Sequence, residues 1–401
     1  MKTLIQTKRR IVWVAVAAIS IFVLSCKEEP PPSLYQPIPS SGPTITSVSP
    51  SDSALAGVSI VTIVGTGFSP VKEYNFVNFG SKLATVLEAT VTQLKVRTPI
   101  LVSDSTPVKV AVQGIDLFSN AIAYRLKPAV VDFGGTPNVV EEPVGMATDV
   151  QGNLYVSLLT NTGIALGVKK ITPTGVRSDF GLAIRSWSSL KVGPGDTVYA
   201  AANGPGMFRI YPQGVNETPN WFFGGVGRIS EFDFDQGRNI WAGGDNREIY
   251  RITRDKIIKS FPFVGDVRSV RVFSGQVYCA TRTDTVWSIW RSRIVSSDSL
   301  APRELYFNFS ANYPNAGAYA ITFSTDGDMF VGTDPFAGSM VVVHPDQTHE
   351  KFYPGLFSGK FVAFAYGIGT EMYVSSTGTD ANKKVLRVNM QKQGARYYGR
   401  Q

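Results

Sequence analysis

Between residues 44 and 126 apolar and polar side chains alternate over short runs separated by Gly, Pro, Asn and Asp clusters. Period-two alternation of this kind belongs to strands with one buried face. The clearest runs cover residues 58–64, 74–79, 82–89, 93–98 and 106–112, and none of the segment keeps a helical period. Some 83 residues of short antiparallel strands predict a two-sheet sandwich.

The pattern from 129 to 401 is repetitive instead. An apolar residue followed by an aromatic one, just after a turn, recurs at Leu154 and Tyr155, Val198 and Tyr199, Ile240 and Trp241, Val277 and Tyr278, Met329 and Phe330, and Met372 and Tyr373. The first members lie 37 to 52 residues apart, so the unit is about 43 residues long. In the first unit, residues 146–149 lead through the turn 151–153 to 154–157, then 168–175, then 176–180. Four strands per unit, repeated radially, make the blades of a propeller. The whole chain is therefore expected to be all-β, an immunoglobulin-like sandwich over 44–126 and a six-bladed β-propeller over 129–401. Two segments compete to close the ring. Residues 130–135 resemble the outer strand 178–181, and residues 395–399 offer a C-terminal candidate.

Length and composition fit two such domains. A chain of 401 residues exceeds one core, and 38 Gly with 24 Pro supply many tight turns. The net charge of +8 changes meaning once Lys2, Lys8, Arg9 and Arg10 are assigned to a leader. The remaining charges are scattered without a basic block, so no nucleic-acid partner is expected.

Residues 1–25 read as a signal peptide. Those four cations precede an apolar run over 11–24 that is shorter than the ~20 residues needed to span a bilayer. Its end, Val23-Leu24-Ser25-Cys26, resembles the bacterial lipobox, which implies lipid on Cys26 and membrane anchoring through it. The alternative is an ordinary secretory signal with an incidental Cys. Residues 26–43, rich in Pro and Ser, should form an extended tether. Lys27-Glu28-Glu29 resembles the signal with which Bacteroidetes-type bacteria export lipoproteins to the outer face of the outer membrane; the alternative is a solvated charge cluster. Cys279, alone in an apolar strand, reads as core packing.

Four motifs in register resemble the IPT/TIG domain: Ile45-Thr46-Ser47-Val48-Ser49-Pro50, Val61 to Phe68 with Gly65 and Gly67, Val77-Asn78-Phe79-Gly80, and Thr92 to Pro99. Gly65 and Gly67 are expected at a turn that a Cβ would obstruct, with Phe68 plugging the sandwich end. The resemblance implies a stalk or spacer. In the second domain, the Gly-Asn-Leu-Tyr-Val hairpin of 152–156 and the Lys-Ile-Thr-Pro-Thr-Gly turn of 170–175 resemble the NHL repeat.

Propeller enzymes define what chemistry to look for. The zinc lyases of NHL-like type use histidines from different blades, whereas His344 and His349 fall in one turn region and read as exposed. A calcium-dependent hydrolase of the gluconolactonase type needs oxygen ligands converging on the channel, but the innermost ring reads Gly145, Ser189, Glu231, Arg268 or Ser269, Ala320 and Ala363, with one carboxylate. No metal or cofactor is expected, and catalysis is the minority reading. Two residues further along, Lys191, Asp233 and Arg271 should stand side by side as a charged network near the axis. A structural network and an anionic-ligand site both remain open there. The loop face holds Arg185, Trp187, Arg228, Arg282, Trp287, Tyr313 and Phe336, alongside Asn203, Asp245, Asn246, Asp284, Asn312 and Asp334. Aromatic rings beside amides and charges suit sugar recognition. The expected function is binding of a glycan or an envelope protein, with a purely structural envelope or adhesion role as a further alternative.

Overall fold

The computed structural model describes residues 41–400 apart from 137, 219 and 264; the signal peptide, Cys26 and most of the tether lie outside them. The alternation in the first domain does what a one-sided strand must do. Val61, Ile63, Leu94 and Val96 point inward from a sheet ordered Thr44–Ser49, Ile60–Thr66, Gln93–Arg97, Thr85–Ala89, and meet Val77, Phe79, Val108 and Val110 from a second sheet; all eight are fully buried. Gly65 is obligatory, since a Cβ there would lie 1.9 Å from the Thr44 carbonyl oxygen and 2.6 Å from the Phe68 ring. Phe68 is buried at that end. The run 82–89 is two strands rather than one. Lys82–Leu83 pairs with Asn75–Phe79, and past Ala84 the chain crosses to pair Thr85–Ala89 with Gln93–Arg97.

Among the described residues the second domain contains six sheets. Their inner strands are Glu141–Thr148, Ser189–Val192, Glu231–Phe234, Asp266–Phe273, Ala320–Phe323 and Lys360–Tyr366, and each packs beside the next, with the sixth returning to the first. We number the blades in that order. The recurring apolar and aromatic pair stands at the start of each second strand or one residue into it, and that strand is buried on both faces because blades lie on either side of it. The aromatic member packs toward the seam: Tyr199 meets Phe234 of the next blade at 5.2 Å and Tyr278 meets Phe323 of the next at 4.7 Å between ring centres, while Tyr155 meets Phe180 of its own blade at 4.6 Å. Such contacts add about 0.5–1.5 kcal/mol each beyond burial. The preceding turns are fastened by an aspartate. Asp149 accepts from the Gln151 and Asn153 backbone N–H groups and the Tyr155 hydroxyl, and Asp235 accepts from the Asn239 N–H and the Trp241 indole. Cys279 is fully buried, and burial pushes its thiol well above the ordinary range.

Both candidates for ring closure are used, in different places. Val130–Asp132 pairs antiparallel with Lys384–Asn389 and is the outer strand of blade 6. The C-terminal segment instead crosses beneath the channel.

Candidate functional site

The channel is filled from below and crossed by ion pairs. Asp233 and Arg271 are each 1% exposed and meet at 2.5 Å. The same carboxylate oxygen of Asp233 accepts the Val272 N–H at 2.9 Å, and the other accepts the Phe234 N–H at 2.9 Å. Lys191 turns from Asp233 to Glu231, whose Oε1 it meets at 2.8 Å and which also accepts the Ser189 hydroxyl. The expected triad is therefore two pairs. Glu231 is long enough to reach down from the ring above, and the short Asp233 side chain is already engaged. Burial opposes the charge on Lys191 and on Arg271, but the neighbouring carboxylates outweigh it and hold both above their ordinary values.

The C-terminal segment seals the base. The Ala395 N–H donates to the Phe323 carbonyl, and the Tyr397 hydroxyl lies 3.0 Å from that of Thr322. Arg271 donates to the Ala395 and Arg396 carbonyls, with its guanidinium 3.9 Å from the Tyr397 ring centre. Arg400 donates to the Thr148 hydroxyl and, at 2.8 Å, to the Tyr366 carbonyl. Gly399 sits where a Cβ would come within 2.4 Å of the Val192 carbonyl oxygen and 2.5 Å of Phe234. These contacts touch all six inner strands. The space left between tail and wall, bounded by Met146, Lys191, Asp233, Phe364 and Arg400, is about 10 Å³, room for at most one water.

The channel residues do not fit a calcium site. Glu231 is the ring's carboxylate, and its oxygen already serves Lys191, Ser189 and the Phe232 N–H. Among the described residues no three His, Cys, Asp or Glu side chains are grouped as metal ligands would be.

The opposite, open face carries the loop residues expected from the sequence, with corrections. Trp187 is fully buried. Its N–H is held by the Ser157 hydroxyl and its carbonyl by the Gly145 N–H, so its ring falls into the seam between blades 1 and 2 against Phe208, at 4.9 Å. Arg185 is exposed and lies over Phe208, 4.5 Å from the ring centre. Arg228, also exposed, pairs with Asp245 at 3.3 Å. Tyr313 is drawn to the outer seam of blades 4 and 5, where its hydroxyl lies 2.8 Å from Nδ1 of His349. His349 is exposed but belongs to the strand His349–Lys351 rather than a turn. His344 is only partly exposed and meets the buried carboxylate of Asp328 at 2.8 Å. Phe336 stands 78% exposed at a loop tip.

Arg282 and Trp287 do come together. They face each other across the second hairpin of blade 4, the guanidinium 5.9 Å from the indole centre. Trp287 is fixed by its N–H to the Ser310 hydroxyl, on the single helical turn Phe309–Asn312 that Asn308 caps. Its indole meets the Tyr319 ring edge to face at 4.9 Å. The Tyr319 hydroxyl donates to Asp334 at 2.9 Å, as does the Gly317 N–H. Lys360, from the start of the blade 6 inner strand, places Nζ 3.6 Å from the Tyr319 ring centre. Burial pushes its ammonium below the ordinary range, Asp334 opposing and Arg268 reinforcing the effect. Tyr319 and Lys360 escaped the sequence reading. The usable signal was a charged residue opening an otherwise apolar inner strand, Lys360-Phe361-Val362-Ala363.

Order, spacing and turn geometry in the first domain have a counterpart among known families. Residues 43–125 match the IPT/TIG domain. No curated protein matches the chain. Among solved structures, a Bacteroides thetaiotaomicron protein of unknown function is 12% identical with a TM-score of 0.52, over 88% of this chain and 98% of its own. An auxiliary nutrient binding protein from the same organism is 10% identical with a TM-score of 0.50, over 86% and 97%. A Xanthomonas campestris gluconolactonase is 11% identical with a TM-score of 0.51, over 63% of this chain and 87% of its own. The first two cover more of this chain than the ring of blades alone accounts for, and at such identities the likeness is one of fold.

Proposed function

We propose that this chain is a lipid-anchored surface protein that captures a glycan on the open face of its ring of blades, the IPT/TIG segment serving as spacer. The observation that carries the reading is the grouping of Trp287, Tyr319, Arg282, Asp334 and Lys360 from three blades around one patch of that face. An aromatic ring offers a flat apolar surface to the C–H face of a sugar, while charged and hydroxyl groups beside it take the hydroxyls. Sealing from below leaves the open face as the route to these residues. The auxiliary nutrient binding protein of similar fold supports a binding role. The Val23-Leu24-Ser25-Cys26 sequence supports the anchor, and Lys27-Glu28-Glu29 supports the outer surface of the outer membrane.

Affinity electrophoresis of the detergent-solubilised full chain through gels containing a panel of polysaccharides tests this reading. Retardation by at least one polymer, abolished by Trp287→Ala, is expected. Uniform mobility across the panel would refute it and turn attention to protein partners in envelope extracts. Incorporation of labelled palmitate, lost in Cys26→Ala, tests the anchor.

A further inference from the structure

Lys360 is a half-buried ammonium that faces a ring rather than an anion. Among the described residues its Nζ has no hydrogen-bond or ion-pair partner, and its contact is the Tyr319 ring at 3.6 Å. Asp334, the nearest acid by connection, spends its Oδ2 on the Tyr319 hydroxyl and the Gly317 N–H. Arg282 lies beyond Trp287 on the other side of Tyr319. It uses Nε on the Asp284 carbonyl at 2.7 Å and makes no ion pair, leaving the rest of its fork over the indole. Arg268, on the bulge of the blade 4 inner strand, meets Asp266 at 3.3 Å while its buried Nε has no partner. Asp284 is exposed at the hairpin tip. Of the three carboxylates here only Asp266 makes an ion pair, with Arg268, while Lys360 and Arg282 make none among the described residues and retain unused donors beside two aromatic rings.

A cation held out of bulk water without a counter-ion costs free energy unless a ligand supplies the charge. Guanidinium forks match planar carboxylates through two parallel hydrogen bonds, and an ammonium adds a point charge without demanding a geometry. The rings between them fix the plane on which a sugar lies. Building on the glycan reading above, we infer that this patch binds an acidic saccharide, a polymer whose sugar units carry carboxylate groups, with Lys360 at one end and Arg282 at the other each taking a carboxylate of the polymer and the aromatic pair Trp287 and Tyr319 between them.

The experiment compares polygalacturonate with the same polymer after carboxyl reduction to its neutral form, and with dextran and dextran sulfate, in affinity gels and by titration calorimetry on the full chain. Polygalacturonate is expected to bind, and the reduced polymer to bind at least about tenfold more weakly, the scale of a hydrogen bond to a charged group. Lys360→Gln and Arg282→Gln should each lose about tenfold toward polygalacturonate and so narrow its preference over the reduced polymer, and Lys360→Arg should restore it. Arg282 is exposed, so its variant keeps the test open should Lys360→Gln fail to fold. Equal binding of the acidic and reduced polymers, or preference for dextran, overturns the acidic-saccharide inference and leaves glycan capture standing. Tighter binding of dextran sulfate that survives Arg282→Gln overturns it in favour of unspecific polyanion attraction. Absence of binding to every polymer overturns both readings.

Discussion

Replacing Asp233 with alanine would leave the Arg271 guanidinium charged and 1% exposed with no carboxylate against it. Three carbonyl acceptors, of Val272, Ala395 and Arg396, and the Tyr397 ring would remain, but each is a dipole or quadrupole rather than a counter-charge. The substitution also orphans the Val272 and Phe234 N–H groups that Asp233 satisfies. Breaking one side of a buried pair costs about 3–5 kcal/mol, and the surviving carbonyls place this case toward the lower end. Arg271→Met removes the charge itself, so the double variant should be less destabilised than the sum of the singles, with a coupling of about 1–3 kcal/mol. Urea unfolding followed by tryptophan fluorescence reads the right domain, since Trp187, Trp221, Trp241, Trp287 and Trp290 all lie in the blades. A loss below about 1 kcal/mol for Asp233→Ala, or strict additivity in the cycle, would refute the claim that the pair ties blades 3 and 4 together.

Two further outcomes follow from other contacts. Gly399→Val places a branched side chain against the Val192 carbonyl and Phe234, so the tail should lift from the channel; carboxypeptidase should release C-terminal residues rapidly from this variant and slowly from the parent, with a lower melting temperature. Glu217, hydrogen-bonded by Arg209, is held below the ordinary carboxylate value of 4.5, so the folded state binds that proton less readily than the unfolded one. Its contribution is present above the ordinary value and is lost as pH falls below it; the melting-temperature gap between the parent and Glu217→Gln should be full at neutral pH and shrink as pH falls below 4.5.

Much of the fold was legible because its cause is local. Period-two alternation states which face of a sandwich strand is dry, and Leu154-Tyr155 and its five counterparts mark strands enclosed on both faces. Outcomes that depend on a neighbour one blade away were not legible. Nothing near Trp187 in sequence announces that Ser157 and Gly145 will hold its backbone and turn the indole into a seam. The pairing of Lys191 with Glu231 depends on side-chain reach across blades, which equal spacing along the strands does not encode. Lys360 was overlooked because the bulge between Phe361 and Ala363 displaces the strand start from the regular count, and Tyr319 because it stands one residue before the counted position Ala320. The tail was noticed, but its glycines meant little until the walls they pass, Tyr366 and Phe234, were in place.

Only two residues separate the strand that closes the ring, Val130–Asp132, from the sandwich strand Ile122–Lys127. A force applied between the sandwich and the blades therefore reaches the ring first at this strand and its seam with Lys384–Asn389. That seam has more than its ladder: the Asn389 N–H reaches the Ala129 carbonyl, the Phe133 N–H reaches that of Val385, and the Phe133 ring is wedged on Tyr373. The joint that closes the ring of blades is also where the chain from the sandwich enters it, so a substitution that loosens the closure should loosen the attachment of the sandwich as well.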